Sequence, residues 1–371
     1  MATPSPKKLV PGARAQLEHI ARQAAGGDGA SPSTPTGFPT PKDLFQQVVA
    51  ATDDVAYSSA ADPRSPYCAL ASQTPDNVPQ NRYSNIFPFD RNCVPIAGSA
   101  QTPYINASWI EFPLTSGTTR DRAHIATQGP LPHTIGAFWR MVHQHGSPLI
   151  VCLTKQKEGG RVKYDPYYLP NDQFSVPYDD GSSISIAHVA TETIARPGEL
   201  LAAYRRHVEL GARYRFRPEH TPRAITQIHN LTLHKFVLRG VPDPGSGAAA
   251  PPDRDVWIMD SAEWPDHQAI DADALLSMVE LARFINPSIR SPMVVHCSAG
   301  CGRTGTFIAV DCITRYLESG IRSAHFDHGP DLVAQVVADL KTQRVQMVQS
   351  LAQFELVYRA VARYMWLMGY L

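Results

Sequence analysis

Residues 293–306 read Met-Val-Val-His-Cys-Ser-Ala-Gly-Cys-Gly-Arg-Thr-Gly-Thr, and few structures accommodate that order. The apolar run Met293-Val294-Val295 predicts a buried strand. It ends at His296-Cys297, passes through small residues (Ser298, Ala299, Gly300, Gly302) and reaches Arg303. Beyond it, Phe307, Ile308, Val310, Ile313 and Leu317 recur at helical spacing over Thr306–Ser319, with Gly320 as the stop. Strand, tight turn and helix leave a ring of backbone N–H groups at a helix N-terminus, a cradle for a phosphate-sized oxyanion. A cysteine sits at its floor and an arginine closes it.

A free thiol ionises near ~8.5, and a helix N-terminus with a cation nearby lowers that value. Cys297 is therefore expected as a thiolate at neutral pH. Arg303 offers a planar fork to two oxygens of a phosphoryl group, which a lysine could not do. Attack of Cys297 on phosphorus gives a covalent thiophosphate and needs no metal. Thr304 is placed to donate its hydroxyl to the sulfur when it becomes the leaving group. No other cysteine of the six has an arginine six residues on.

Composition excludes several alternatives. The 371 residues suit one large α/β domain, and 34 basic residues balance 34 acidic ones, so global charge gives no argument for nucleic acid or a membrane surface. No apolar run approaches the roughly 18–20 residues of a membrane span, and no apolar h-region follows the N-terminus. The cysteines (Cys68, Cys93, Cys152, Cys297, Cys301, Cys312) show neither paired nor zinc spacing, which fits a reducing cytoplasm or nucleus. Residues 1–41 are rich in Pro, Ala, Gly, Ser and Thr and read as a disordered tail, apart from a short helix at Ala13–Ala25. A catalytic domain is expected over 42–371, with a flexible insertion at 241–255.

The stretch from His296 to Gly305 resembles the signature of cysteine-dependent protein tyrosine phosphatases. Further motifs follow in that family's order. Asn81-Arg82-Tyr83-Ser84-Asn85 is similar to its phosphotyrosine-recognition loop, and Glu158 to Tyr164 to a charged turn. Glu263-Trp264-Pro265-Asp266 is similar to its mobile acid loop, 31 residues ahead of Cys297 for Asp266. Arg344 to Phe354 is similar to its glutamine loop.

The resemblance implies a single α/β domain, a twisted mixed sheet flanked by helices, with the phosphate-binding loop between a strand and a helix. It implies phosphotyrosine hydrolysis in proteins, with Asp266 as general acid then base and Trp264 as hinge. One carboxyl group serves both steps, because tyrosinate leaves poorly unless protonated. Ser298, Ala299, Gly300, Cys301 and Gly302 would bind the phosphoryl oxygens and His296 would support the loop. Glu158 and Lys163 would fix Arg303 and the acid loop, while Gln349 and Gln353 would orient the hydrolytic water. Tyr83 would line a deep pocket that phosphoserine cannot cross.

Asn85 stands where the family usually has aspartate, so hydrogen bonds from a peptide backbone should weaken there. Asp260 replaces a common histidine. No cofactor or metal is implied. Partners would be tyrosine-phosphorylated proteins, MAP kinases by association with fungal members, acted on by a monomer in the cytoplasm and nucleus. Three rivals remain. A lipid phosphatase usually carries lysines in the loop, absent here; a dual-specificity phosphatase typically lacks the Asn-Arg-Tyr segment; a weakly active phosphotyrosine-binding module would lose Cys297, Asp266 or Arg303.

Overall fold

The computed structural model describes residues 20–21, 24, 39–97, 104–111, 122–194, 231–243, 245, 250, 252–261, 264–266, 268–318 and 331–368. Its frame is one eight-stranded mixed sheet. Four short strands form the parallel centre: β2 (His124–Thr127), β10 (Met293–His296), β3 (Leu149–Cys152) and β9 (Arg254–Asp260), in that order. β1 (Ala107–Ile110) adds antiparallel to β2. On the far side β8 (Leu231–Val241), β7 (Ser183–Ile194) and β6 (Gln173–Pro177) continue antiparallel from β9. A separate hairpin joins β4 (Lys157–Glu158) to β5 (Arg161–Val162).

The central strands are apolar at nearly every position because both faces are covered. On β10, Met293 and Val295 enter the larger apolar cluster while Val294 enters the smaller one on the other face. The larger cluster holds four helices: α3 (Ala272–Ile285), α4 (Gly302–Glu318), α5 (Leu332–Gln343) and α6 (Leu351–Leu367). α2 (Ile135–Gln144) covers the smaller cluster through Phe138, Trp139, Met141 and Val142. β10, buried between two parallel neighbours, therefore delivers Cys297 to the C-terminal edge of the sheet.

Two boundaries differ from the sequence reading. The apolar residues Leu44, Phe45, Val48 and Val49 predict a first helix over Asp43–Ala51, whereas α1 runs Pro41–Ser59. Thr40 caps it reciprocally with Asp43, and Pro41 takes the first helical position, where its missing N–H costs nothing. Its later turns look polar because Asp53 is buried against Lys341, at 2.6 Å. The insertion shortens to 242–253, since Val241 pairs with Ser183 and Arg254 with Leu238. The sequence of 224–238 also reads as strand-like; of it, residues 224–230 lie outside the described residues and β8 covers the rest. Of the tail, residues 1–19, 22–23 and 25–38 lie outside the described residues. Ile20 is helical and fully buried in the larger cluster, with Ala24 packed beside it, and both lie within the short helix read at Ala13–Ala25.

α4 carries Arg303 and is itself anchored by charge. Asp311, buried in its middle, accepts from Arg283 Nε at 2.6 Å, from Arg315 Nε at 3.0 Å and contacts His124 Nε2 at 2.9 Å. Burial raises its carboxyl pKa, but Arg315 and Arg283 outweigh that and hold it well below the ordinary value. Asp311→Asn should cost about 3–5 kcal/mol in denaturant unfolding, because it removes the buried carboxylate shared by the buried Arg283 and the partly buried Arg315. A carboxylate with a depressed folded pKa stabilises above its unfolded value. The gap between wild type and variant should therefore close as pH falls below ~4.

Candidate active site

Cys297 follows β10 directly, and α4 begins five residues later at Gly302. Between them the chain makes a tight turn whose carbonyls all face outward. His296 Nδ1 lies 3.1 Å from the Cys297 carbonyl, and Gly129 N–H donates to that of Ser298 at 2.9 Å. Arg344, fully buried, donates to the carbonyls of Ala299 (3.0 Å) and Gly300 (2.8 Å). The Cys301 carbonyl accepts from Gly305 and Val348. With every loop carbonyl engaged from outside, the N–H groups are left to face inward, which makes the loop an anion cradle. Gly300 sits at φ +73°, and a Cβ there would lie 2.1 Å from the Thr127 carbonyl oxygen, so only glycine closes the turn.

The Gly300 N–H donates to Cys297 Sγ at 3.3 Å. Burial alone would push this thiol up, but the charge of Arg303, the Thr304 hydroxyl and neighbouring N–H groups bring it below its ordinary value. Thr304 Oγ1 is buried with no oxygen or nitrogen to bond, which leaves the hydroxyl to the sulfur. His296 is likewise buried, and its pKa is lowered to about 4 chiefly by that burial. It is neutral at physiological pH. Tyr167 OH contacts its Nε2 at 2.8 Å, so donation from Nδ1 to the Cys297 carbonyl fits the tautomer.

Arg303 closes the cradle with its side chain fully buried. Nη1 donates to Glu158 Oε1 at 2.8 Å and to the Trp264 carbonyl at 2.7 Å. Nη2 donates to Asp266 Oδ1 at 3.1 Å. Nε is buried without a partner. Lys163 Nζ donates to the other Asp266 oxygen at 2.7 Å. The hairpin, the acid loop and the cysteine loop therefore meet on one guanidinium. Trp264 is buried and donates its indole N–H to the Gln268 carbonyl.

The other expected residues fall around this centre. Tyr83 OH and Ser298 Oγ are 2.7 Å apart, which holds the half-buried ring on the cradle's rim. Asn85 is exposed, and its carbonyl accepts from Tyr57 OH. Gln349 lies beside the cradle, its Cβ 3.3 Å from where a Gly302 side chain would begin. Gln353 is less available than the sequence suggests. Its Oε1 accepts from the N–H groups of Gln349 and Ser350, completing the N-terminal cap of α6, while both ends of its amide lie 2.9 Å from where a Gly302 side chain would begin. Cys301 turns away into an apolar cluster with Phe87, Phe89 and Val345, and burial pushes its thiol up to about 12. Asp260 ends β9 under the acid loop, where it accepts from Tyr168 OH at 2.8 Å and burial raises its pKa.

Sequence reasoning gave no role to Arg344, Asn106 or Tyr167. Arg344 also donates to Asn106 Oδ1 (2.7 Å) and approaches Ser108 Oγ (3.1 Å), so four acceptors orient it. Its place at the head of the glutamine stretch was the one available signal. Backbone strain marks that stretch too, with Val348 at φ 57° and Gln346 at φ 58°. Among the described residues no group of His, Cys, Asp and Glu could hold a metal, and no helix is long and apolar enough to cross a membrane.

A buried, acidified thiol within an inward-facing N–H cradle defines a cysteine phosphatase-type centre. Residues 77–196 and 224–363 match the protein-tyrosine phosphatase family, and the chain belongs to that family. It is 28% identical over 304 residues to human tyrosine-protein phosphatase non-receptor type 12, covering 80% of this chain and 31% of that one. Against receptor-type tyrosine-protein phosphatase S of Gallus gallus the identity is 29% over 289 residues, covering 77% and 15%. The chain thus spans less than a third of either relative's length. A structure of PTPN18 in complex with HER2-pY1196 phospho-peptides superposes with a TM-score of 0.67 at 25% identity, over 95% of this chain and 99% of that one.

Arg344→Lys should lower kcat on an aryl phosphate by about 10²-fold, because the loop carbonyls lose their fixed donors. Iodoacetamide at pH ~6 should label Cys297 and spare Cys301, read by peptide mass spectrometry.

Proposed function

We propose that the protein hydrolyses phosphotyrosine in proteins through a phosphocysteine on Cys297. The observation that carries this reading is the unpartnered Nε of Arg303, buried beside a thiol of lowered pKa and a ring of inward N–H groups. A dianionic phosphoryl group satisfies all three at once. Binding through Nε and Nη2 competes with the Asp266 contact on Nη2, and so frees that carboxyl group to meet the ester oxygen.

The sulfur attacks phosphorus, the P–O bond breaks, and Asp266 gives its proton to the departing tyrosine oxygen. A water positioned by Gln349 then attacks the phosphocysteine. Asp266 takes the proton back, and the Thr304 hydroxyl meets the returning thiolate. Tyr83 on the rim sets a depth that favours an aryl ester, and a cytoplasmic tyrosine-phosphorylated protein is the substrate class. The phospho-peptide complexes of PTPN18 support that class.

Asp266→Ala should reduce kcat on a phosphotyrosine peptide by ~10²–10⁴-fold while the peptide still binds. Cys297→Ser should abolish turnover. Residual p-nitrophenyl phosphate hydrolysis by Cys297→Ser would overturn the mechanism. Phosphotyrosine binding by wild type without turnover would favour the binding-module reading.

A further inference from the structure

Beside the catalytic cradle, between the β4–β5 hairpin and the acid loop, lies a cavity of about 550 Å³. That is within the size range of small-ligand sites. Its wall carries four cations, Lys155, Lys157, Arg161 and Lys163, against two carboxylates, Glu158 and Asp266. Both carboxylates are already engaged. Glu158 accepts from Arg303, and Asp266 accepts from Arg303 and Lys163. Lys155, Lys157 and Arg161 are exposed and form no ion pair among the described residues. Among the described residues the cavity therefore presents three positive charges without an ion-pair partner, next to Asp266, the residue that would protonate the leaving group.

We propose that this cavity is a substrate subsite for an anionic side chain, a carboxylate or a second phosphoryl group, borne by a residue near the phosphotyrosine. The inference rests on the catalytic reading above and adds the sequence context of its substrate. Each residue of an extended peptide advances roughly 3.3–3.6 Å. Because Asp266 lines both the cavity and the cradle, a side chain from a near neighbour of the phosphotyrosine falls within range. The hairpin that carries the cations is held in register from below, since Glu158 binds Arg303 while Gly159 and Gly160 turn the tip at positive φ. Arginine and lysine ends on a cavity wall suit either anion, and the contribution should weaken as salt rises. The opposite occupant, a basic side chain, would meet like charge on three sides.

The test uses phosphotyrosine peptides of one sequence with a single flanking position varied as Gln, Glu, phosphothreonine or Lys. Wild type should show kcat/KM on the order of tenfold higher for Glu and phosphothreonine than for Gln, and lowest for Lys, with the differences shrinking at high salt. The Glu and phosphothreonine arms separate the two anion sources. In Lys155→Ala/Lys157→Ala/Arg161→Ala the ranking should flatten through KM, while p-nitrophenyl phosphate turnover stays at the wild-type level. Lys157→Glu should shift preference toward the Lys peptide. Equal kcat/KM for all four peptides in wild type, or an unchanged ranking in the triple variant, would overturn the subsite. Absence of p-nitrophenyl phosphate turnover by wild type would instead sink the catalytic reading. In that case equilibrium binding of the same peptides to Cys297→Ser still reads the subsite, and equal affinities would overturn it.

Discussion

A guanidinium taken fully out of water must find partners on every edge, and the partners of Arg303 account for most of the site. Glu158, the Trp264 carbonyl and Asp266 take three of its directions and bring a hairpin and a loop from distant parts of the chain onto the cysteine loop. The remaining edge, Nε, is buried and unbonded beside the sulfur. A buried donor without an acceptor is costly, and this is the edge on which the proposed oxyanion binding rests. The same charge makes the thiol acidic against the burial that would otherwise keep it protonated. One interaction thus sets the ionisation of Cys297 and the position of two loops together.

The cradle around that charge is a matter of carbonyl direction. An N-terminal helix turn offers N–H groups in any protein, but a loop of five residues could equally point oxygens at the ligand. Here His296, Gly129, Arg344, Gly305 and Val348 hold the carbonyls outward. Arg344 is in turn oriented by Asn106 and Ser108 on the strand side. Further down α4, Asp311 with Arg283, Arg315 and His124 keeps the helix seated on the sheet. Preorganisation of this kind costs stability in desolvated charges and returns it as a loop whose N–H groups are already turned inward.

Local pattern was enough for some features and blind to others for a common reason. The strand 293–296 and the helix from Gly302 were legible because their apolar periodicity lies within one contiguous segment. The extension of α1 to Ser59 was hidden because Asp53 reads as a solvent residue until Lys341 is set against it. Gln353 read as a water ligand by its place in the motif, whereas its carbonyl oxygen is committed to capping α6. Cys301 sits four residues from Cys297, yet its side chain belongs to a different apolar cluster.

The order of residues from His296 to Thr306 by itself determined the reactive group, the cradle and the arginine, because a strand, a turn and a helix N-terminus are built from neighbours in the chain. Tertiary structure alone decided what that arginine is held by, which carbonyls are turned outward and where positive charge is left unpaired. Those outcomes depend on residues brought together across 145 positions for Arg303 and Glu158 and 238 for Arg344 and Asn106. No local propensity encodes such a meeting. It follows only once the sheet has fixed which loops share its C-terminal edge.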